Sequence, residues 1–262
     1  MTFEELEKSV ETLLAKNAEL QLQIDRVEAV NDIQRLMGDY FGTHVVNPAE
    51  PVNHFNQWGY FADREDSTYE VGNYGLLVGF KNIQFFFREK EEGMSDENGN
   101  VYTGWMFEHD LTSPQIVVAA DGQTARGVWT SPGHETIAFG GKPQAQWAWG
   151  RVAADFIKID GEWKIWHYHW YRLFRTDFDT PWTHFDQQSV SKPLPIERIK
   201  RFGGEPEKVF PCTYFHPYSP ETYCECTPRT PQPYDTWSDD LLPAGVREAI
   251  ETVRKMGEKA VD

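Results

Sequence analysis

The stretch WKIWHYHWYRLFR, Trp163 to Arg175, contains three tryptophans, two tyrosines, two histidines and two arginines. In a β-strand, alternate side chains point to opposite faces of the sheet. One face of this strand would carry Trp163, Ile165, His167, His169 and Tyr171, and the other Lys164, Trp166, Tyr168, Trp170 and Arg172. Because both faces are aromatic, we expect one to pack on helices and the other to line a cavity.

Three segments upstream of this stretch also have the composition of β-strands. They are residues 104–118, 125–137 and 145–159, with turns at DGQ (121–123), GGKP (140–143) and IDGEW (159–163). Glycine-containing turns between such segments favour hairpins, so the four strands are predicted to form an antiparallel meander. Helical patterns precede the strands, and this order predicts an α+β domain.

The N-terminal region is predicted to be helical. Residues 3–27 carry apolar side chains at alternating spacings of three and four, which is the seam of a heptad repeat with Asn17 at a position that can fix register. The seam consists of Phe3, Leu6, Val10, Leu13, Asn17, Leu20, Ile24 and Val27. Two interpretations stay open: a long helix laid on its own domain, and a helix that pairs between subunits.

Further helical patterns follow the seam. One runs from Ile33 to Phe41 and ends around Gly42, and others cover residues 53–61 and 80–92. Residues 75–80, GLLVGF, are predicted to be a strand or a turn. The chain is thus divided into an N-terminal helix (1–29), an α+β domain (30–180) and a C-terminal arm (181–262).

The arm is distinguished by its prolines and should be extended rather than a second globular core. A short helix, Ala244 to Lys259, is predicted to end it. The prolines are Pro181, Pro193, Pro195, Pro206, Pro211, Pro217, Pro220, Pro228, Pro231 and Pro233.

Composition narrows the classes of function. The net charge of −16 argues against nucleic acid or an anionic membrane as partner. Aromatic residues make up 15% of the chain, an excess that a pocket for a flat ligand would explain. The acidic start has no apolar leader, no run is long enough to span a bilayer, and the three cysteines are an odd number. We therefore expect a cytoplasmic protein without a disulfide framework.

Five passages resemble the SnoaL-like branch of the nuclear transport factor 2-like superfamily. VNDIQRLMGDYF (30–41) resembles the first family helix, FADRED (61–66) the loop after the second helix, and GFKNIQFFF (79–87) the next helix. EHDLTSPQIVVAADGQTARG (108–127) resembles the histidine strand, and GEWKI (161–165) the last strand. The resemblance implies a cone: a curved antiparallel sheet wrapped on helices around an internal pocket.

The resemblance also implies a catalytic histidine. His109, seven residues before Ile116, stands where dehydratases of this branch have their general acid or base, while Glu108 should face away. The aspartate that usually partners this histidine is replaced by Val45. His44 or Asn47 could take its place, and Tyr40 could donate a hydrogen bond to a substrate or belong to the core.

Several other residues are candidates for contacts with a substrate. Tyr60, Trp105, Trp129 and Trp149 belong to a set of aromatic residues too large for packing alone. Arg151 and Arg172 could neutralise a phenolate or a developing oxyanion, or else pair at the surface. His169 is expected to join the pocket.

Metal and nucleotide cofactors are not expected. His167 and His169 have the spacing of metal-binding barrels, but no Asp or Glu follows before Asp177. Cys212, His216, Cys224 and Cys226 are zinc-type ligands without a common finger spacing, so reduced cysteines are favoured and zinc stays open. A P-loop and a dinucleotide fingerprint are absent from the sequence.

These features predict a cofactor-independent lyase that acts on a small hydroxylated aromatic compound. Within the branch, the chain is similar to bacterial diarylpropane lyases, which implies release of formaldehyde from a lignin-derived diol to give a stilbene. Two alternatives remain: a dehydratase or isomerase of a steroid or polyketide, and a non-catalytic subunit of the same fold. A homo-oligomer, dimer or trimer, is expected because the seam would otherwise stay exposed.

Overall fold

The structure is a computed structural model, and it describes residues 1–72, 74–184 and 194–259. Part of the predicted arm, including Pro193, lies outside the described residues, as do Asn73 and residues 260–262.

The N-terminal region is a single helix, α1, Phe3–Gly42. The two predicted helical segments are therefore one, because the sequence between them has no proline or glycine that would end the first. Thr2 caps the helix and forms a capping box with Glu5. Only the second part of α1 is buried on the domain, through Ala29, Ile33, Met37 and Tyr40.

The other helices are short. A 3-10 helix, His54–Tyr60, and α2, Phe80–Gly93, confirm the predicted helices at 53–61 and 80–92. In the arm lie α3, Ile196–Arg201, and the predicted terminal helix α4, Ala244–Lys259. Single 3-10 turns occur at Phe139–Gly141, Pro206–Lys208 and Asp239–Leu241.

The strands of the described chain form one sheet. They are β1 (Thr68–Val71), β2 (Leu76–Val78), β3 (Met106–His109), β4 (Thr112–Val118), β5 (Thr124–Ser131), β6 (Gly133–Ile137), β7 (Gln144–Ile159), β8 (Glu162–Asp177) and β9 (Val209–Phe210). The neighbours across the sheet are β3, β6, β7, β8, β1, β2 and β9, while β5 lies between β4 and β7.

The predicted meander is confirmed, with two breaks. The predicted strand 104–118 is divided into β3 and β4, and 125–137 into β5 and β6 at Pro132, which cannot donate to a ladder. The long β7 pairs with β5 along one half and with β6 along the other, so the breaks let the sheet curve. Strand β1, which pairs in parallel with β8, was not predicted. The α+β class with a curved sheet, long N-terminal helix and arm is confirmed.

Strand β8 does not keep the simple alternation of faces. Its pairing with β7 jumps from Phe156–Ile165 to Asp155–His167, so Trp166 is an extra residue in a β-bulge. Trp163 and Ile165 therefore lie in the same core as Tyr168 and Trp170, against the predicted division. His167, His169 and Tyr171 lie on the opposite, outer face of the sheet.

The arm covers this outer face. Tyr218 donates its backbone N–H to the Leu173 carbonyl in β8, and the backbone N–H of Ala120 donates to the Tyr234 carbonyl. Helix α4 packs its apolar side on β2 and forms a second core. That core consists of Leu76, Val78, Leu242, Val246, Ala249, Ile250 and Val253. Between the arm and the sheet remains a cleft of about 560 Å³, called the outer cleft below.

Candidate active site

The inner face of the sheet and the helices enclose a cavity of about 140 Å³. Its walls are largely aromatic, and its ionisable groups come from β3, β6 and β8 and, on the helical side, include His44, His54 and Lys90. The lining residues include Phe41, His44, His54, Tyr74, Lys90, Trp105, Phe107, His109, Glu135, Phe139, Tyr168, Trp170, Arg172 and Arg175. Such a cavity, apolar with a few convergent polar groups, is the usual form of a small-molecule site.

His109 and Glu135 form the centre of the polar group. Nε2 of His109 lies 2.9 Å from Oε1 of Glu135, and Arg175 pairs with the other carboxylate oxygen. Burial raises the pKa of Glu135, but Arg175 and His109 more than offset this and lower it to about 2. Glu135 is therefore a carboxylate at neutral pH, and it accepts a hydrogen bond from Nε2 of His109.

The other ring nitrogen of His109 is left with a lone pair. Nδ1 is buried and has no hydrogen-bond partner within the described part of the chain. It lies beside Gly133, where an added Cβ atom would come within 2.5 Å of it. Trp170 packs edge-on against the imidazole ring. The histidine is thus held by a carboxylate at Nε2, while its Nδ1 lies against the backbone of β6 at Gly133.

His44 lies close to His109, with 5.9 Å between the ring centroids. Its Nδ1 is 2.8 Å from the Gln57 side-chain amide nitrogen and 3.1 Å from the Phe41 carbonyl oxygen. Burial and the nearby His109 lower the pKa of His44 to about 3, and burial likewise lowers the pKa of His54. Both are neutral imidazoles that can form hydrogen bonds without carrying charge.

Three cations reach the cavity. Arg172 and Arg175 both face it because a second bulge, at Leu173, changes the alternation of β8. Burial and the neighbouring Arg175 lower the pKa of Arg172 to about 10, so it stays protonated at neutral pH. Lys90 of α2 donates to the Tyr74 hydroxyl over 2.9 Å.

Four of the predicted site residues meet at this cavity: His109, His44, Trp105 and Arg172. His44 and Asn47 were candidates to replace the missing aspartate, but the carboxylate partner of His109 is Glu135. Glu108 is exposed, as predicted from the alternation of the strand.

Other predicted site residues lie elsewhere. Tyr40 is fully buried among the rings of Phe61 and Tyr168, and Tyr60 packs against Tyr40 from the 3-10 helix. Trp129 belongs to the core and contacts Phe156. These aromatic residues pack the domain rather than line the cavity.

The remaining three lie on the outer side of the sheet. Trp149 stacks on Phe174, and Arg151 donates to the Thr227 carbonyl in the arm. His169 lines the outer cleft, where its Nδ1 is 3.4 Å from Glu70. The bulge at Trp166 explains the side of His169, because an extra residue exchanges the faces of the residues beyond it on β8.

Glu135 is the functional candidate that the sequence analysis missed. Near the turn, Val118 of β4 pairs with Ala125 of β5, and Gln115 pairs with Val128. If this register continued along both segments, Glu108 would lie opposite Glu135. A one-residue shift between Thr112 and Gln115 changes this, so that Phe107 pairs with Glu135. Glu135 thereby shares the cavity face with His109. His54, Lys90 and Arg175 were missed as well.

The described residues contain neither a metal centre nor a membrane helix. In residues 1–72, 74–184 and 194–259, no group of three or more His, Cys, Asp or Glu side chains could hold a metal ion. Cys212 donates to Glu70, while Cys224 and Cys226 are exposed. None of the described helices combines the length and the apolar character needed to cross a membrane.

Comparison with solved structures finds a partial similarity to several bacterial proteins. A proposed scytalone dehydratase from Novosphingobium aromaticivorans is 13% identical, with a TM-score of 0.44, over 66% of this chain and 97% of that one. The hexachlorocyclohexane dehydrochlorinase LinA-type3 from Novosphingobium barchaimii is 15% identical, with a TM-score of 0.43, over 61% and 96%. An NTF2-like superfamily protein from Salmonella enterica is 17% identical, with a TM-score of 0.40, over 57% and 92%.

The sequence comparisons concern the central part of the chain. No curated protein matches it in sequence. Residues 57–169 match the family model SnoaL_4, which describes the SnoaL-like domain. The resemblance predicted from the sequence is therefore confirmed for residues 57–169, the part of the chain that is similar to the SnoaL-like domain.

Proposed function

We propose that this chain is a cofactor-independent lyase for a small hydroxylated aromatic compound, with His109 as its general acid and base. The observation that carries the proposal is the group formed by His109, Glu135 and Arg175 in an aromatic cavity. A purely structural cone would gain nothing from burying three ionisable side chains there, because such groups lose hydration on burial.

The role of His109 follows from its pairing with Glu135. Both side chains line the cavity, so the pair can take a proton from a substrate hydroxyl there, and the carboxylate stabilises the imidazolium that results. The protonated ring can then return the proton to a leaving hydroxyl. Imidazole suits both directions because it titrates near neutral pH in its unperturbed state. Neutral His44 can orient the same hydroxyl.

The cations suit an anionic oxygen on the substrate. Arg172 and Arg175 line the polar end of the cavity, and Lys90 with Tyr74 lines another part of it. A phenolate that lies against any of these groups would be stabilised, and its electrons could expel a benzylic hydroxyl in the para position. An aromatic substrate of this kind carries its own electron sink.

The cavity volume limits how such a substrate lies. About 140 Å³ is less than the several hundred Å³ of clefts that hold drug-sized ligands, so it encloses about one aromatic ring. Trp105 and Phe139 meet edge to face, with Phe139 more than half exposed. A second ring would lie against these two side chains.

The specific reaction proposed is the deformylation of a lignin-derived 1,2-diarylpropane-1,3-diol. Loss of the benzylic hydroxyl as water, driven by the para-phenolate, gives a quinone methide. Removal of the proton from the γ-hydroxyl then breaks the bond between the β and γ carbons and releases formaldehyde. The electron pair of that bond forms the stilbene double bond and restores the phenolate. The products are stilbene, water and formaldehyde, and no oxidant or reductant is consumed.

A second candidate is supported by the small cavity. Dehydration of a hydroxylated polyketide-like ring needs the same acid and base and a substrate that fits within about 140 Å³. A steroid is too large for that volume. The two candidates differ in one product, since only the deformylation releases formaldehyde.

The test is an assay of the purified chain with a phenolic diarylpropane diol, measuring formaldehyde and stilbene. Stoichiometric release of both supports the proposal, whereas the analogue methylated on the phenol should not react. Dehydration without formaldehyde would support the second candidate. No turnover of either the diol or a set of hydroxylated aromatic alcohols would contradict both and favour a non-catalytic role.

His109→Gln provides the first prediction about the mechanism. The variant should fold, because the strand keeps its backbone pairing, and its rate should fall by roughly 10²–10⁴. His134→Gln is the matched control, since His134 is an exposed histidine next to Glu135 on β6. Turnover by His109→Gln within a few-fold of wild type would refute the role of His109.

A further inference from the structure

The first part of α1 carries an apolar seam that its own domain leaves uncovered. At 1.5 Å per residue, residues 3–27 span roughly 36 Å of helix. The apolar side chains of the seam are all exposed, and the least exposed still shows 43% of its surface. They are Phe3, Leu6, Val10, Leu13, Leu20, Ile24 and Val27.

The contacts of α1 with the domain use the opposite side of the helix. Leu22 approaches Gly122, Arg26 donates to the Val118 carbonyl, and Ala29 and Ile33 are buried. When the seam is assigned to heptad positions a and d, these four residues occupy positions f and c. Positions c and f lie across the helix from a and d, so the seam faces away from the domain. Intramolecular packing therefore leaves it free.

The residue types at the seam favour one kind of occupant. Val10, Asn17 and Ile24 occupy position a, and Leu6, Leu13 and Leu20 occupy position d. β-branched residues at a with leucine at d favour two-stranded parallel coiled coils over trimers and tetramers. The same sequence supplies both sides of such a pair, so a second copy of this chain fits the seam.

Asn17 selects the orientation of the pair. In a parallel, in-register coiled coil, position a faces position a, and the two Asn17 amides hydrogen-bond each other. In an antiparallel pair, position a faces position d, where this seam has only leucine and valine. The amide would then be buried against an apolar side chain without a partner, which disfavours the antiparallel pair.

The flanking positions agree with the parallel arrangement. Position g of one helix faces position e of the next heptad on the other, which brings Lys16 to Gln21 and Gln23 to Glu28 of the second copy. Neither contact joins like charges. We propose that residues 3–27 form a parallel two-stranded coiled coil with a second copy of this chain.

The mass in solution tests the pairing. Light scattering of the full chain should give twice the chain mass of 30.4 kDa. Leu13→Glu with Leu20→Glu should give the single-chain mass, because charges at position d cannot be buried, while the thermal transition of the domain is retained. Ala15→Glu with Ala18→Glu is the control: it adds the same charge to exposed positions off the seam and should stay dimeric.

A cross-link tests the orientation. Asn17→Cys should form a disulfide between the cysteines introduced in the two copies on mild oxidation, identified by peptide mass spectrometry, because facing a positions bring the Cβ atoms close enough. Ala18→Cys, off the seam, should not. A monomeric or trimeric wild type would overturn the proposal, as would a seam variant that stays dimeric. An Asn17→Cys variant without the symmetric link would overturn the parallel pairing.

Discussion

The carboxylate of Glu135 fixes which ring nitrogen of His109 carries the proton, and the lack of a side chain at Gly133 leaves space for the imidazole ring. His109 pairs across the sheet with Gly133, and Glu135 follows two residues later on the same face of β6. A Cβ atom at position 133 would approach Nδ1 of His109 to 2.5 Å and the Ala148 carbonyl oxygen to 2.7 Å. The absence of a side chain there allows the free nitrogen of His109 to lie against the backbone of β6.

Replacement of Glu135 by Gln should slow turnover without removing the substrate site. Gln can still accept the hydrogen bond from Nε2, but it has no charge to stabilise the imidazolium, so we expect kcat to fall by roughly 10²-fold or more with a small change in KM. Arg175 would also lose its charged partner, and the free energy of unfolding should fall by roughly 1–3 kcal/mol. Steady-state kinetics and urea unfolding measure the two effects.

A double variant separates a positioning role from general damage. If Glu135 acts through His109, then His109→Gln with Glu135→Gln should be no slower than His109→Gln alone. Additive losses in the double variant would show that Glu135 supports the fold and not the proton transfer of His109.

At the scale of elements, periodicity was enough to predict the long strands and the helices but not the bulges. Strands β7 and β8 each keep 16 residues of β-rich sequence, and the turn between them is marked by glycine. A bulge adds one residue without changing composition, yet it exchanges the faces of everything beyond it. His169 was therefore assigned to the cavity, whereas the extra Trp166 places it under the arm.

The same limit explains why the site was only partly predicted. His109 could be found because a motif surrounds it in sequence. Glu135 lies on another strand, and its position beside His109 depends on the irregularity between Thr112 and Gln115, where Ser113 has a φ of 52°. Pro114 marks an irregularity at this place, because a proline within a strand occurs at edges and bulges, but it does not give the size or direction of the shift.

Helix α4 offers a prediction at this scale, because it attaches the arm to the sheet. Ile250 is 1% exposed in the second core, so Ile250→Ala should lower the free energy of unfolding by about 2–5 kcal/mol. The cavity that contains His109 lies on the other face of the sheet, so kcat of the folded variant should stay unchanged. Glu251→Ala, at an exposed position of the same helix, is the control.

Urea unfolding and limited proteolysis would check this prediction. Early cleavage within the arm of Ile250→Ala, with the rest of the domain resistant, would show that α4 anchors the arm. A variant as stable as wild type would contradict the packing described for the second core.

For the whole molecule, buried histidines make stability depend on pH. Burial lowers the pKa of His44 and His167 to about 3 and that of His169 to about 4, and it lowers the pKa of His54 as well. In the unfolded chain, each would titrate near 6.5. Below that pH the unfolded chain binds protons that the folded chain does not, so the free energy of unfolding falls as the pH falls.

His167 allows this dependence to be measured away from the active site. It lies under the arm, with Nδ1 3.1 Å from the Thr68 hydroxyl and its ring packed against Trp166 and Trp237, which also contact each other. Between pH 7.5 and 5.5, a histidine that stays neutral in the folded protein lowers the free energy of unfolding by about 1.4 kcal/mol. This decrease continues until the pH nears the folded pKa of His167, which is about 3. His167→Gln, which does not titrate, should therefore lose about 1.4 kcal/mol less stability than wild type over that interval in urea unfolding.

His134→Gln, at an exposed histidine, should follow the wild-type dependence. Equal pH dependence in wild type and His167→Gln would mean that His167 is protonated in the folded protein, with Asp66 and Asp239 as the nearby carboxylates that favour its charge.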